Sequence, residues 1–383
     1  MRLYTRLGAV SVVAASLLAL ALALAYITAA YPYQDDFCFT LWQRSPAETA
    51  NWFFTNWSGR WSAMFLYAAM ASGHDYAQQG MGALVWWSLP LWLAGFFFLA
   101  ALVMRGAGAA QRGAAALVLL VLFWTSTPGA LDLFYWTAGV SGYSVPFALS
   151  CLSLFLLAVD RPAWASGIGA IVAAAVPTFN ELAGIVLVPV LALLAVDRWR
   201  RNRSFMPLLV ALVLTLLASA VVIFAAGTAQ RLDAQVETEA SLLGYAAKLF
   251  RPYDSAFASI VDPRLLCLLL VAACSTRFGA SPNPRRAIPV LALGLVAALA
   301  GNAAYIAAAG TVPSYRVLGY GFAVMLSATA AAAWHLRGTI SNKGLEAASL
   351  IALAALIVTG PNTTMALHDL PKLAGFKAEQ RAF

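Results

Sequence analysis

Long apolar segments dominate this sequence and decide what it can fold into. The first runs from Leu7 to Tyr31, and its only polar interruptions are Ser11, Ser16 and Thr28. A helix needs about 20 consecutive apolar residues to cross a bilayer, so this run is long enough to do so. Over all 383 residues, 62% are hydrophobic and 10% are charged, whereas an ordinary soluble domain is about 25% charged. The sequence therefore predicts an all-α polytopic membrane protein.

Charged or Pro/Gly-rich breaks divide the chain into eleven apolar runs. Several of the runs are shorter than a full crossing requires, which a bundle tolerates by tilting its helices or thinning the bilayer. We predict about eleven transmembrane helices, with a boundary between an N-terminal catalytic module (1–277) and C-terminal helices with a polar tail (278–383). The predicted ranges are 8–30, 80–104, 113–127, 143–159, 163–179, 182–196, 205–226, 256–276, 287–309, 317–336 and 345–359.

The distribution of charge between the loops predicts the orientation. With eleven alternating spans, the loops on the N-terminal side hold 14 basic and 3 acidic residues, a net charge of +11. The opposite side holds 10 basic and 13 acidic residues, a net charge of −3. Cytoplasmic loops are enriched in Lys and Arg. The N-terminus is therefore predicted in the cytoplasm, and the overall basic charge requires no nucleic-acid partner.

Two adjacent carboxylates, Asp35 and Asp36, follow directly on the first apolar run and are flanked by Tyr33, Phe37 and Phe39. Burial among aromatic rings raises the pKa of a carboxyl group, which suits it to take a proton from a hydroxyl. The pair is thus our first candidate for catalysis. The alternative is a charged loop that only marks the membrane surface.

A glutamate and three arginines share the predicted outer side with this pair. Glu181 follows Asn180 and begins a long apolar helix, where an acid is usually paired or functional. Arg60, Arg231 and Arg316 carry guanidinium forks that match phosphate oxygens. Together they predict an anionic substrate, with Glu181 as a further catalytic candidate. The alternatives are a solvated turn for Glu181, and arginines that pair with lipid headgroups or nearby carboxylates.

Aromatic residues are concentrated in two predicted outer loops. The first loop, 31–79, is predicted to contain helices over 47–56 and 60–71 that lie at the membrane interface. The faces of aromatic rings suit the C–H faces of sugars, although an ordinary interfacial belt has the same composition. The candidate stacking residues are Trp52, Trp57, Trp61, Tyr135 and Trp136.

Histidine and cysteine give no sign of a metal centre. The three histidines, His74, His335 and His368, are far apart, and the four cysteines have no zinc-type spacing. We predict no metal site.

Six short phrases occur in order and on one predicted side of the membrane. They are Asp35–Cys38, Trp57–Arg60, Phe134–Gly139, Asn180–Glu181, Gly227–Arg231 and Pro313–Arg316. In this pattern the chain resembles the GT-C glycosyltransferases, most closely the bacterial branches that decorate O-antigens and other cell-envelope glycans. The resemblance covers roughly residues 31–316. The sequence departs from some GT-C enzymes in having no large C-terminal soluble domain.

The resemblance implies a GT-C-like bundle that moves a sugar from a polyprenyl-phosphate carrier to a hydroxyl of an envelope glycan or lipid-linked acceptor. Asp35 or Asp36 would act as the base of an inverting displacement, and the arginines would hold the leaving phosphate without a cofactor. Substrate contacts are expected from Asn180 and Tyr315 as well. The site would lie on the periplasmic face of a bacterial inner membrane.

A transporter or flippase of an anionic lipid-linked glycan is the main alternative. The same arginines and aromatic residues would then bind without chemistry. Transporters usually place ionisable groups near the membrane midplane and often contain repeats. Here these groups cluster at one predicted surface and no repeat is visible, which favours the enzyme over the transporter and over a purely structural subunit.

The orientation can be tested with cysteines placed at Asp132 and Arg231. We expect a membrane-impermeant maleimide to label both from outside intact cells, because the loop charges place both positions outside. A cysteine at Arg112, in a predicted inner loop, should react only after permeabilisation. Labelling of the first two positions only after permeabilisation would contradict the predicted common site.

Overall fold

The structure, a computed structural model, describes residues 2–30, 44–72, 74, 82–158, 162–235, 242–250, 257, 261–275, 282–309 and 313–381. Every regular element in these ranges is helical. The helices are α1 Arg2–Ala29, α2 Pro46–Asn56, α3 Trp61–Ala71, α4 Gly82–Val85, α5 Ser88–Val103, α6 Ala109–Ser126, α7 Ala130–Phe134, α8 Thr137–Gly139, α9 Val145–Ala158, α10 Ala163–Phe179, α11 Glu181–Arg200, α12 Met206–Ile223, α13 Ala226–Gln235, α14 Leu242–Phe250, α15 Pro263–Cys274, α16 Ala287–Ala309, α17 Tyr315–Leu336, α18 Lys343–Val358 and α19 Pro361–Arg381. A π-helical turn, Val140–Ser144, joins α8 to α9, and a 3₁₀ turn, Pro284–Arg286, precedes α16.

Within the described residues, eight helices are long and apolar enough to cross a membrane. This confirms an all-α, multi-pass membrane protein. A helix also overlaps each of the eleven predicted ranges, but α5, α10 and α15 have 16, 17 and 12 residues and are not among the eight. Eleven crossings therefore stay a prediction, as does the domain boundary at residue 278.

The two helices predicted in the first outer loop are present as α2 and α3. Ser45 caps α2: its hydroxyl accepts a hydrogen bond from the backbone N–H of Glu48, whose carboxylate in turn accepts one from the backbone N–H of Ser45. Pro46 follows at the first helical position, where its missing N–H costs nothing. The reciprocal cap fixes where α2 begins and hence where its aromatic residues lie.

An aromatic cluster holds the middle of the bundle together. The ring of Trp92 on α5 lies 4.2 Å from Phe123 on α6 and 4.4 Å from Phe147 on α9, measured between centroids. Gly95, one turn further along α5, leaves room for Phe147, since a Cβ there would lie 2.6 Å from that ring. Helices in lipid gain little from apolar burial, so such close packing is what associates them.

The C-terminal segment, expected to be a polar tail, is helical as α19 and packs against α1 and α6. The side-chain amide of Asn362 donates hydrogen bonds to the carbonyl oxygens of Trp124 and Thr127, at 2.7 and 2.9 Å. These bonds satisfy carbonyl groups left over at the end of α6. Pro361 at the start of the segment favours a helical first turn, a signal that the polar composition obscured.

Candidate functional site

A cavity of about 390 Å³ opens between α2, α3, α11, α13, α16 and α17. Its volume lies in the range of small-molecule sites, about 300–1,000 Å³. Among the described residues, four charged side chains line it: Arg60, Glu181, Arg231 and Arg316. Three guanidinium groups against one carboxylate give this described lining a formal charge of +2. Such a lining suits an anionic ligand.

The carboxylate of Glu181 binds two arginines at once. Arg60 donates to it from Nε (2.5 Å to Oε2) and from Nη2 (2.7 Å to Oε1). Arg231 donates from Nη2 to Oε1 at 2.9 Å. The three side chains are only 12–15% exposed. Burial lowers the pKa of Arg60, but the Glu181 carboxylate outweighs this and leaves the pKa above its ordinary value. The arginine therefore stays charged.

Gly59 brings the turn before Arg60 against the end of α12. Its backbone N–H donates to the hydroxyl of Thr228 at 2.8 Å, and that hydroxyl donates to the carbonyl oxygen of Val222, also at 2.8 Å. A Cβ on Gly59 would lie 2.1 Å from the same carbonyl oxygen, so only glycine permits this approach. The contact aims Arg60 from the first loop at Glu181.

A second glycine seats α13, which carries Arg231, against α2. A Cβ on Gly227 would lie 2.4 Å from the carbonyl oxygen of Phe53 and 2.5 Å from the backbone nitrogen of Trp57. Arg231, one turn later, reaches Ser58 with Nη1 at 3.4 Å in addition to its bond with Glu181. The two backbones can touch only because this position lacks a side chain.

Asn180 places Glu181 at the first residue of α11. Its side-chain oxygen accepts from the backbone N–H of Leu182 at 3.0 Å, and its amide nitrogen donates to the carbonyl oxygen of Gly142 at 2.8 Å. It is fully buried and does not belong to the cavity lining. Its amide thus caps the helix and ties it to the π-helical turn, which positions the glutamate.

Arg316 enters the cavity from the start of α17 and stacks on Trp136. Its guanidinium carbon lies 5.0 Å from the centroid of the tryptophan ring, within cation–π range. Asp132 on α7 lies close enough for its charge to interact with that of Arg316. Burial raises the pKa of the Asp132 carboxyl above its ordinary value, although Arg316 acts in the opposite direction. Asp132 is thus a second carboxyl group near the cavity, and its pKa is raised.

The fold brings most of the predicted site residues to this cavity, although their chemical roles stay predictions. Tyr135 and Tyr315 are not part of its lining. Tyr135 is buried and accepts a hydrogen bond from the indole of Trp124, and Tyr315 is 70% exposed. Asp35 and Asp36 lie outside the described residues. The predicted residues that do line the cavity are Trp57, Arg60, Trp136, Glu181, Arg231 and Arg316.

Three tyrosines of the lining were not among the predicted site residues: Tyr67, Tyr143 and Tyr305. Tyr143, on the π-helical turn, lies close enough to Arg60 for its phenol to interact with the guanidinium group. Tyr305 is the only aromatic residue of α16. A single tyrosine in an otherwise Ala- and Leu-rich helix is a signal that could have found Tyr305. Tyr143 was hidden in an apolar run.

The arrangement can bind a phosphate group next to aromatic surfaces. Within the described part of the chain, Nε of Arg231 is buried and has no hydrogen-bond acceptor, so its guanidinium keeps capacity for a ligand. Among the same residues, no three His, Cys, Asp or Glu side chains are grouped closely enough to hold a metal ion. The described lining supplies guanidinium, carboxylate and phenol groups.

Compared with protein-family models, characterised proteins and solved structures, the chain has no significant match. The resemblance to GT-C glycosyltransferases therefore rests on the phrases in this sequence alone.

The glycine contact yields a stability prediction. Gly227→Ala should lower the melting temperature in detergent. The free energy of unfolding should fall by about 1–3 kcal/mol, because the new methyl group meets backbone atoms that cannot move aside. Gly167→Ala on α10 is the matched control, since nothing lies within 4 Å of its Cβ position. Equal melting temperatures for the two variants would show that the described contact between α2 and α13 is wrong.

The charge cluster yields a second prediction. Glu181→Gln should destabilise the protein by roughly 3–5 kcal/mol, because it leaves two buried guanidinium groups without their counter-charge. Added phosphate should restore part of the melting temperature, as an anion takes the place of the carboxylate. Glu48→Gln, the same change on the exposed cap of α2, should melt near wild type. A Glu181→Gln variant as stable as wild type, or unaffected by phosphate, would exclude the cluster as an anion site.

Proposed function

We propose that this protein is an integral membrane glycosyltransferase that moves a sugar from a polyprenyl-phosphate carrier to a hydroxyl of an envelope glycan or lipid-linked acceptor. One observation carries the proposal: Arg60, Arg231 and Arg316, far apart in sequence, line a single cavity with two tryptophans. The guanidinium groups match the phosphate of such a donor, and the aromatic rings match its sugar.

The proposed reaction is one displacement at the anomeric carbon. The acceptor oxygen forms the new bond to this carbon while the bond to the phosphate oxygen breaks, and its proton passes to a carboxylate. The lipid phosphate leaves with the bonding electrons, and its growing negative charge is held by the arginines. Donors placed to bind charge that develops in the transition state accelerate a reaction most effectively. A single displacement inverts the anomeric configuration.

Asp35 or Asp36 is the proposed base. Glu181 is less suited to that role, because its carboxylate is held by both Arg60 and Arg231. Of the two helices that flank segment 31–43, α2 contributes to the lining, and Tyr26 of α1 packs on Tyr135, the residue before Trp136 of the lining. This placement supports a base from that segment, and Asp132 is the next candidate.

The proposed location is a bacterial inner membrane, with the N-terminus in the cytoplasm and the cavity open to the periplasmic side. The loop charges of +11 and −3 support this orientation. A lipid-linked donor would approach the cavity within the outer leaflet.

Turnover by the purified protein tests the proposal. In detergent, we expect release of free polyprenyl phosphate from a lipid-linked sugar donor when an acceptor is present. Asp35→Asn or Asp36→Asn should abolish it while leaving the melting temperature near wild type. Arg231→Lys and Arg316→Lys keep the charge but lose the planar fork, so they should slow turnover by about a hundredfold with a smaller loss of donor binding. Arg200→Lys, on an exposed face of α11, is the matched control.

The outcomes separate the two function classes. A transporter has no transition state to lose, so it would retain the lipid-linked donor without consuming it, across a panel of donors and acceptors. Full activity of both aspartate variants would move the base to Asp132 or Glu181. Equal effects of Arg316→Lys and Arg200→Lys on turnover would contradict the role of the cavity arginines.

A further inference from the structure

A second, larger cavity lies outside the candidate site. This groove of about 490 Å³ runs between α5, α9, α11, α16 and α17. Its walls are apolar, with Val186, Val190 and Leu194 from α11 opposite Val324 and Ala331 from α17. The volume alone does not identify a ligand, but the charges at one end of the groove do.

Five arginines meet at that end. They come from separate elements: the connection after α5, the end of α11, the segment after α11 and the 3₁₀ turn before α16. Among the described residues, Asp197 is the one carboxylate of the lining; it is paired with Arg201 at 2.8 Å, and five arginines against this carboxylate give the described rim a formal charge of +4. The rim arginines are Arg105, Arg198, Arg201, Arg203 and Arg286.

The groove is long and has its charge only at one end. On α11 its lining extends from Ala183 to Arg198 and beyond. At a rise of about 1.5 Å per residue, these two positions lie about 22 Å apart along the helix. One leaflet contributes about half of the roughly 30 Å hydrocarbon core of a bilayer. The groove is thus deep enough for one lipid chain, and its rim lies at the opposite end of α11 from Glu181.

We propose that this groove binds an anionic phospholipid of the leaflet at that end, with one acyl chain along α11 and the phosphate on the arginine rim. Charge and shape argue for this occupant together. A soluble anion would use the rim and leave the apolar walls empty, and a zwitterionic lipid would gain less from a rim of net +4. The proposal does not depend on the transferase reaction.

The close contact between α16 and α17 gives the groove a sealed back wall. A Cβ on Gly294 would lie 2.1 Å from the Cβ of Ala328, so the two helices pack there with only the methyl group of Ala328 between them. Both residues line the groove. The lipid chain therefore lies on a closed surface, where it contacts protein along its length.

Lipid binding to the delipidated full-length protein tests the proposal. We expect phosphatidylglycerol to bind at least tenfold more tightly than phosphatidylcholine with the same acyl chains, measured by native mass spectrometry and by the shift in melting temperature. Arg203→Gln and Arg286→Gln should each weaken phosphatidylglycerol binding by about fivefold, the effect of one basic residue near an anionic lipid. Arg200→Gln removes a charge from the same helix end without touching the groove, and should leave binding unchanged.

A steric variant tests the apolar part. Ala331→Phe fills the groove without altering the rim, and should reduce phosphatidylglycerol binding, whereas Ala348→Phe on an exposed face of α18 should not. Inorganic phosphate in millimolar excess should not displace the lipid. Equal binding of the two lipids, full displacement by phosphate, or identical results for Arg286→Gln and Arg200→Gln would overturn the proposal.

Discussion

The contact of Glu181 with Arg60 and Arg231 is the interaction on which the candidate site depends. Each guanidinium is mostly buried, and a buried charge is tolerated only when it is paired and hydrogen-bonded. One carboxylate shared by two arginines meets this requirement and still leaves positive charge in the cavity. The same contact joins α11, α13 and the turn before α3 at one point of the bundle.

Small residues make that contact possible across long distances in the chain. Arg60 and Glu181 are 121 residues apart, and Arg231 is 50 residues beyond Glu181. Gly59 and Gly227 allow backbones to touch, and Thr228 satisfies the polar groups between them. The arginines are thereby held in place before any ligand arrives, which reduces the ordering cost of binding.

Residue pattern alone predicted the helices well and the site only in part. Apolar runs and their breaks located the long apolar helices, because lipid requires every backbone group to be bonded within its own segment, but they did not locate the polar helix α19. Arg60, Arg231 and Arg316 were indicated because they are basic residues in predicted outer loops, whereas Lys and Arg are enriched in cytoplasmic loops. Asn180 and Tyr135 make buried structural hydrogen bonds, and Tyr305 lines the cavity. These roles depend on tertiary contacts that one sequence does not reveal.

The position of a bound donor phosphate would show whether the arginine-lined cavity is the donor site. A cryo-EM map of the protein with a non-transferable polyprenyl-phosphate sugar analogue would locate that phosphate. We expect phosphate oxygens at about 3 Å from the guanidinium nitrogens of Arg231 and Arg316, with the sugar beside Trp136. A phosphate bound elsewhere, with this cavity empty, would contradict this expectation.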